Sequence, residues 1–208
     1  MEVILENLSK SFGKQNVIEN VDYIFHQGNR HAILGGNGSG KSTLLQMIYG
    51  SLTPSSGNLN YRLRGTSIKQ EDVVFKTTLA SPYLELIEEL TAKEFLTFYS
   101  KFRNFRKGIS PDEILEYCYL TASAKKEIRN FSSGMKQRLR LSLALFTESE
   151  MVLLDEPISN LDPQGMEWYQ KLVNEQLVER TLIVGSNFDE REMGFCPHRL
   201  EIQSLNRS

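Results

Sequence analysis

Residues Gly35 to Thr43 read Gly-Gly-Asn-Gly-Ser-Gly-Lys-Ser-Thr, and Gly35, Gly40, Lys41 and Ser42 fit the spacing G-x-x-x-x-G-K-[ST]. Such a run does one kind of chemistry well. With no side chains at Gly35, Gly36, Gly38 and Gly40, the backbone N–H groups of the loop, those of Asn37 and Ser39 included, converge on a polyphosphate. Glycine also accepts the positive φ angles that such a nest needs. Lys41 is placed to bridge β- and γ-phosphates, and the Ser42 hydroxyl to hold Mg²⁺. The flanks agree: His31-Ala-Ile-Leu34 reads as a short buried strand, and Ser42 to Tyr49 as a helix with Leu44, Leu45 and Ile48 on one face. The N-terminus of that helix would turn its partial positive charge on the phosphates.

A second element, Met151-Val-Leu-Leu-Asp155-Glu156-Pro157, is an apolar run ending in two acids. It has the pattern of a buried parallel strand whose C-terminal edge delivers carboxylates to a site. Asp155 is read as orienting Mg²⁺ through its water shell, and Glu156 as the general base that polarises an attacking water. A third element, Phe131-Ser-Ser-Gly-Met-Lys-Gln-Arg138, precedes a helical run from Leu139 to Phe146. It resembles the signature sequence of ATP-binding cassette (ABC) ATPases, usually L-S-G-G-Q-x-Q-R. Ser159-Asn-Leu-Asp162 resembles their D-loop, and Phe12, in Ser11-Phe-Gly-Lys14, their aromatic A-loop residue that stacks on adenine.

The resemblance covers nearly the whole chain. It implies an α/β fold, with a P-loop NTPase core built on a mixed β-sheet, an antiparallel β-subdomain and an inserted α-helical subdomain. It implies an ATP-hydrolysing motor subunit of a transporter, with ATP and Mg²⁺ as cofactors. In that family two cassettes face head to tail, so Ser132, Gly134 and Asp162 would serve the ATP held by a second cassette or a second copy of this chain. Integral-membrane subunits would be the other partners, placing the chain in the cytoplasm on the inner face of the membrane.

Three places depart from the family pattern. Ser133 stands for a glycine and Met135 for a glutamine in the signature. Asn187, in Gly185-Ser-Asn-Phe-Asp-Glu190, stands where the switch histidine should follow the strand Thr181 to Val184. No glutamine lies near Ser81-Pro82, where the Q-loop glutamine should fall, and Gln70 is too early. An asparagine amide can hydrogen-bond the γ-phosphate or the water but takes no proton at neutral pH, whereas histidine does. Binding should therefore be intact and hydrolysis slow. His26, His31 and His198 are read as structural. A slow or non-hydrolysing nucleotide-gated clamp and a soluble non-transport ABC protein stand as alternatives. Glu156 argues against the first. The lack of a second cassette or a long coiled-coil insertion argues against the second.

The elements that must position these groups follow from the rest of the chain. The 208 residues, 40% hydrophobic and 24% charged, suit one soluble domain over 1–208. A net charge of -2 gives no general pull toward nucleic acid, and the Lys101–Lys107 cluster reads as a solvated helix end. Cys118 and Cys196 have no metal-type spacing, which favours a reduced compartment. The first ten residues lack a signal peptide's basic start and apolar stretch, and no apolar run approaches the roughly 20 residues of a membrane span. Strand-like stretches near 2–8, 21–34, 58–63 and 73–79 suit a β-rich nucleotide-binding half. Capping-box patterns at Thr91–Glu94 and Ser110–Glu113 open helices in a block over about 81–145, the inserted subdomain, with Phe95, Phe98, Tyr99 and Phe102 as its core stripe. Asp162-Pro163 starts a further helix.

Overall fold

In the computed structural model, which describes residues 1–82, 85–177 and 179–203, the strands sort into two sheets. The antiparallel one has order β2-β1-β4-β5, from β1 (Glu2–Phe12), β2 (Gln15–Phe25), β4 (Ser56–Leu63) and β5 (Thr66–Ile68). The other has order β6-β7-β8-β3-β9, from β3 (Arg30–Leu34), β6 (Thr77–Ala80), β7 (Met151–Asp155), β8 (Thr181–Ser186) and β9 (His198–Glu201). All its pairings are parallel, so Leu34, Ala80, Asp155 and Ser186 end at one edge. The chain enters this sheet at β3, jumps to the far strand β6, and walks back through β7 and β8. Ligands of open parallel sheets bind at the carboxyl edge, where the chain order reverses.

The parallel strands are apolar throughout because both their faces are covered. Ile33, Met151, Leu153 and Ile183 point to one side, against α1 (Lys41–Tyr49) and the Val3, Phe25 and Tyr61 side chains of the antiparallel sheet. Ala32, Leu34, Val152, Leu154, Leu182 and Val184 point to the other, against α5 (Ser133–Phe146) and α6 (Pro163–Gln176). The alternation is the period of two expected of strands.

The connection from β6 to β7 carries α3 (Ala92–Tyr99), α4 (Pro111–Tyr117) and α5; residues 83 and 84 lie outside those described. Both capping boxes form: Thr91 Oγ1 accepts from Glu94 N at 3.2 Å and Glu94 Oε2 from Thr91 N at 2.9 Å, with the same reciprocal pair at Ser110 and Glu113. Arg180, buried at the head of β8, donates to the last carbonyls of both α5 and α6, at Leu145 O (2.6 Å) and Gln176 O (2.8 Å). A cation at two helix C-termini complements both dipoles.

Three readings need correction. The apolar stretch 73–79 is not one strand: α2 (Gln70–Lys76) ends where β6 begins. Glu71 and Asp72 in its first turn and Lys76 in its last favour a helix there, and only Val73 of it is buried. Phe98 and Phe102 are exposed and pack edge to face on each other, while Phe95 alone of that stripe is fully in the core. The basic cluster is only partly solvated. Arg103 donates to Val74 O at 3.0 Å and Thr77 O at 3.2 Å, and Arg106 donates to Gln176 O.

Candidate functional site

The loop between β3 and α1 is shaped by its glycines. Gly38 (φ +77°) and Gly40 (φ +104°) take conformations that other residues rarely adopt. A Cβ on Gly35 would sit 2.4 Å from Ser39 Oγ and 2.6 Å from Ile202 O. Gly40 lies directly against Val17 and Ile18 of β2. That contact brings the tip of the β1–β2 hairpin beside the loop, with Phe12 half-exposed at the tip and Lys10 Nζ 5.0 Å from its ring centre. Asn37 and Gly38 are exposed, Gly36 half-buried, and Ser39 and Gly40 buried, with Ser39 N–H donating to Gly36 O at 3.1 Å. No side chain caps α1, so the N–H groups of Lys41, Ser42 and Thr43 face the loop.

Lys41, almost fully buried, donates from Nζ to Gly35 O at 2.8 Å and Gly36 O at 3.2 Å, and lies 3.7 Å from Glu156 Oε1. β7 therefore delivers its acids against the loop. Asp155 Oδ2 accepts from Ser81 Oγ at 3.2 Å, while Oδ1 is buried and accepts no hydrogen bond from the described residues. Burial pushes the Asp155 carboxyl above its usual range, and the Ser42 and Ser81 hydroxyls facing it oppose the rise. A buried oxygen without a donor, beside a hydroxyl and a second acid, fits a hard divalent cation such as Mg²⁺. Glu156 stands at φ +45° with its N–H on Gly185 O at 2.9 Å, and its side chain is part-exposed. The left-handed backbone turns its carboxylate toward Lys41 and solvent.

Asn187 follows β8 directly and is exposed at the same edge. Ser81, the first residue past β6, occupies the place where a glutamine was sought, and its hydroxyl holds Asp155. Spacing alone pointed to that position; only the fold shows what the short side chain does there.

Ser132 caps α5, its Oγ accepting from Met135 N at 3.2 Å. The start of α5 is bound to the segment after Glu156. Gln137 Nε2 donates to Pro157 O at 2.9 Å, a Cβ on Gly134 would lie 2.9 Å from Asn160 O, and Arg138 pairs with Asp162 Oδ1 at 3.2 Å. Asp162 also caps α6, accepting from Gly165 N at 2.7 Å. Sequence reading missed one residue of this region. Glu192, buried in α7 (Glu190–Met193), accepts from Ser186 Oγ at 2.5 Å and from Ile158 N–H at 3.3 Å. Nothing in its charged neighbourhood, Asp189-Glu-Arg-Glu192, signals burial.

A glycine-rich loop opening a helix, with an adjacent strand-end carboxylate pair, defines a P-loop nucleotide-binding protein. The model of the ABC transporter family matches residues 18–159, and the chain belongs to that family. It is similar to the linearmycin resistance ATP-binding protein LnrL of Bacillus subtilis (strain 168), 33% identical over 92% of this chain and 63% of the relative. It is 30% identical to the bacitracin transport ATP-binding protein BcrA of Bacillus licheniformis, over 86% of this chain and 58% of that one. The chain thus spans less than two thirds of the length of these two relatives. Its fold is that of ABC cassettes: a dimeric ATP-binding cassette in a post-hydrolysis state, bound to ADP and Pi, superposes with a TM-score of 0.81 at 22% identity, covering 98% of this chain and 97% of that one. Among the described residues no helix is long and apolar enough to cross a membrane.

Proposed function

We propose that the chain is the ATP-binding and ATP-hydrolysing subunit of an ABC transporter, closing on a second cassette around ATP to drive membrane-embedded partners. The observation that carries this is the meeting of Lys41, Asp155 and Glu156 at one sheet edge, beside a glycine-rich loop that opens a helix with no side-chain cap. Lys41 would exchange its two loop carbonyls for the β- and γ-phosphates, and Phe12 would stack on adenine. Ser42 and Asp155 would hold Mg²⁺, which neutralises phosphate charge when bound. Glu156 would accept the proton of the attacking water, and Asn187 would hold the γ-phosphate or that water through its amide.

The Ser132–Gly134 turn, at the N-terminus of α5, would offer N–H groups and a hydroxyl to the ATP of the facing cassette. Asp162, whose Oδ1 accepts from Gly165 N–H and Arg138 while the side chain stays largely exposed, would meet the nucleotide at that same face. The chain is read as one cassette over 1–208 with 81–145 as its helical subdomain, standing at the cytoplasmic face of the membrane through its partners. Relatives named for resistance and for transport support that role. The asparagine at 187 and the serine at 81 favour slow turnover within it. Affinity purification from native membranes should bring down a multi-span protein, with ATPase activity that Glu156→Gln abolishes. Recovery of the chain without any membrane protein, or full activity in Glu156→Gln, would overturn the reading.

A further inference from the structure

Glu192 is a buried carboxyl that makes no salt bridge among the described residues. The acids Asp189, on its own turn, and Glu156, across the site, act on it, and the nearby cation Arg191 pairs with Asp189 rather than with it. Removing an acid from water among like charges is unfavourable, and the two hydrogen bonds it accepts show what the arrangement achieves. One comes from Ser186, the last residue of β8, whose carbonyl also accepts from Gly35 N–H at 3.3 Å and whose Oγ accepts from Asp189 N–H at 3.2 Å. The other comes from the Ile158 N–H, two residues past Glu156. The carboxyl thus spans the gap between the loop that carries Asn187 and the segment 156–162. Its own backbone is fixed from behind, since Tyr169 of α6 donates its hydroxyl to Glu192 O at 2.9 Å.

The segment it grips continues the network. Pro157 O and the Asn160 carbonyl rest on Gln137 and Gly134 of α5, next to the Ser132 turn. We propose that Glu192 is a positioning residue that locks segment 156–162 to the end of β8, so that the loop meeting this chain's own ATP and the turn offered to the partner's ATP move as one body. The inference rests on the reading of the chain as an ATP-sandwiching subunit. Either protonation state can make the bridge. An ionised carboxylate accepts from both donors, and a neutral one donates to Ser186 Oγ while accepting from Ile158 N–H. A glutamine reproduces the second arrangement; an alanine reproduces neither.

Hydrogen–deuterium exchange with and without ATP·Mg²⁺, together with ATP affinity and kcat, tests this on wild type, Glu192→Gln, Glu192→Ala and Ser186→Ala. In Glu192→Ala, ATP affinity should stay within about threefold of wild type, while kcat falls about tenfold and segment 156–162 exchanges about tenfold faster. ATP should no longer slow exchange in that segment, although it still protects residues 35–43. Glu192→Gln should restore kcat and exchange to near wild type. If Glu192→Ala does not fold, Ser186→Ala carries the test, with lower kcat at unchanged affinity expected. Wild-type exchange and kcat in the alanine variants would overturn the proposal, as would a glutamine variant no better than alanine. A wild type that binds no ATP would instead overturn the functional reading, and the nucleotide-free exchange rates would still judge the bridge.

Discussion

Replacing Glu192 by glutamine should change how stability depends on pH, by an amount the site sets. Burial pushes this carboxyl from its ordinary 4.5 up to about 7, against the opposing hydrogen bonds from Ser186 and Ile158. Between those values the folded protein keeps a proton that the unfolded chain has released. Wild-type stability from this group is therefore whole below about pH 4.5, falls as pH rises, and is lost above about pH 7. At about 1.4 kcal/mol per pH unit the full loss is about 3.5 kcal/mol, of which about 2.5 kcal/mol falls between pH 5 and pH 8. Glutamine keeps the bridge and does not titrate. His31, held down to about 4 by burial, works in the opposite direction, but it is present in both proteins and cancels in the difference. Urea unfolding of both proteins at pH 5 and pH 8 measures the effect. The variant should gain about 2.5 kcal/mol on wild type between the two pH values. The same difference at both would refute the reasoning.

Lys41→Ala should weaken ATP binding about 10- to 100-fold, the worth of a buried charge-assisted contact, by titration with a fluorescent ATP analogue; unchanged affinity would remove the loop assignment. Phe12→Ala should lower ATP affinity by about 1–3 kcal/mol, the worth of stacking one base on an aromatic ring, yet leave inorganic triphosphate binding unchanged in the same competition assay. Asn187→His should raise kcat about tenfold or more with affinity little altered, since it supplies an acid–base group at the edge of β8. A histidine variant that binds ATP normally and hydrolyses no faster would make Asn187 a loop amide only.

The local structure around the candidate site was legible because the residue types there are dictated locally. Gly38 and Gly40 need positive φ, Thr91 and Ser110 cap helices three residues before a glutamate, and Met151–Leu154 are apolar because both faces of β7 are covered. What sequence hid is set by distant partners. Phe75 and Val73 gave a strand-like run, yet the charges at Glu71, Asp72 and Lys76 and the contact with the core through Val73 alone make it a helix. Arg103 and Arg106 looked solvated because the carbonyls they reach lie about α2 and α6, far along the chain. Ser81 and Glu192 carry no motif: each acquires its role from a neighbour in another strand or loop, Asp155 for one and Ser186 with Ile158 for the other.

The central claim is that one chain holds two halves of different sites, the phosphate loop with Glu156 and the Ser132–Gly134 turn, which only a facing cassette can complete. Light scattering of Glu156→Gln, which should bind ATP without hydrolysing it, tests this most directly. Saturating ATP·Mg²⁺ should double the mass, and removing the nucleotide should return it to that of a single chain. A mass that stays monomeric under saturating ATP, with the membrane partner also supplied, would contradict the account.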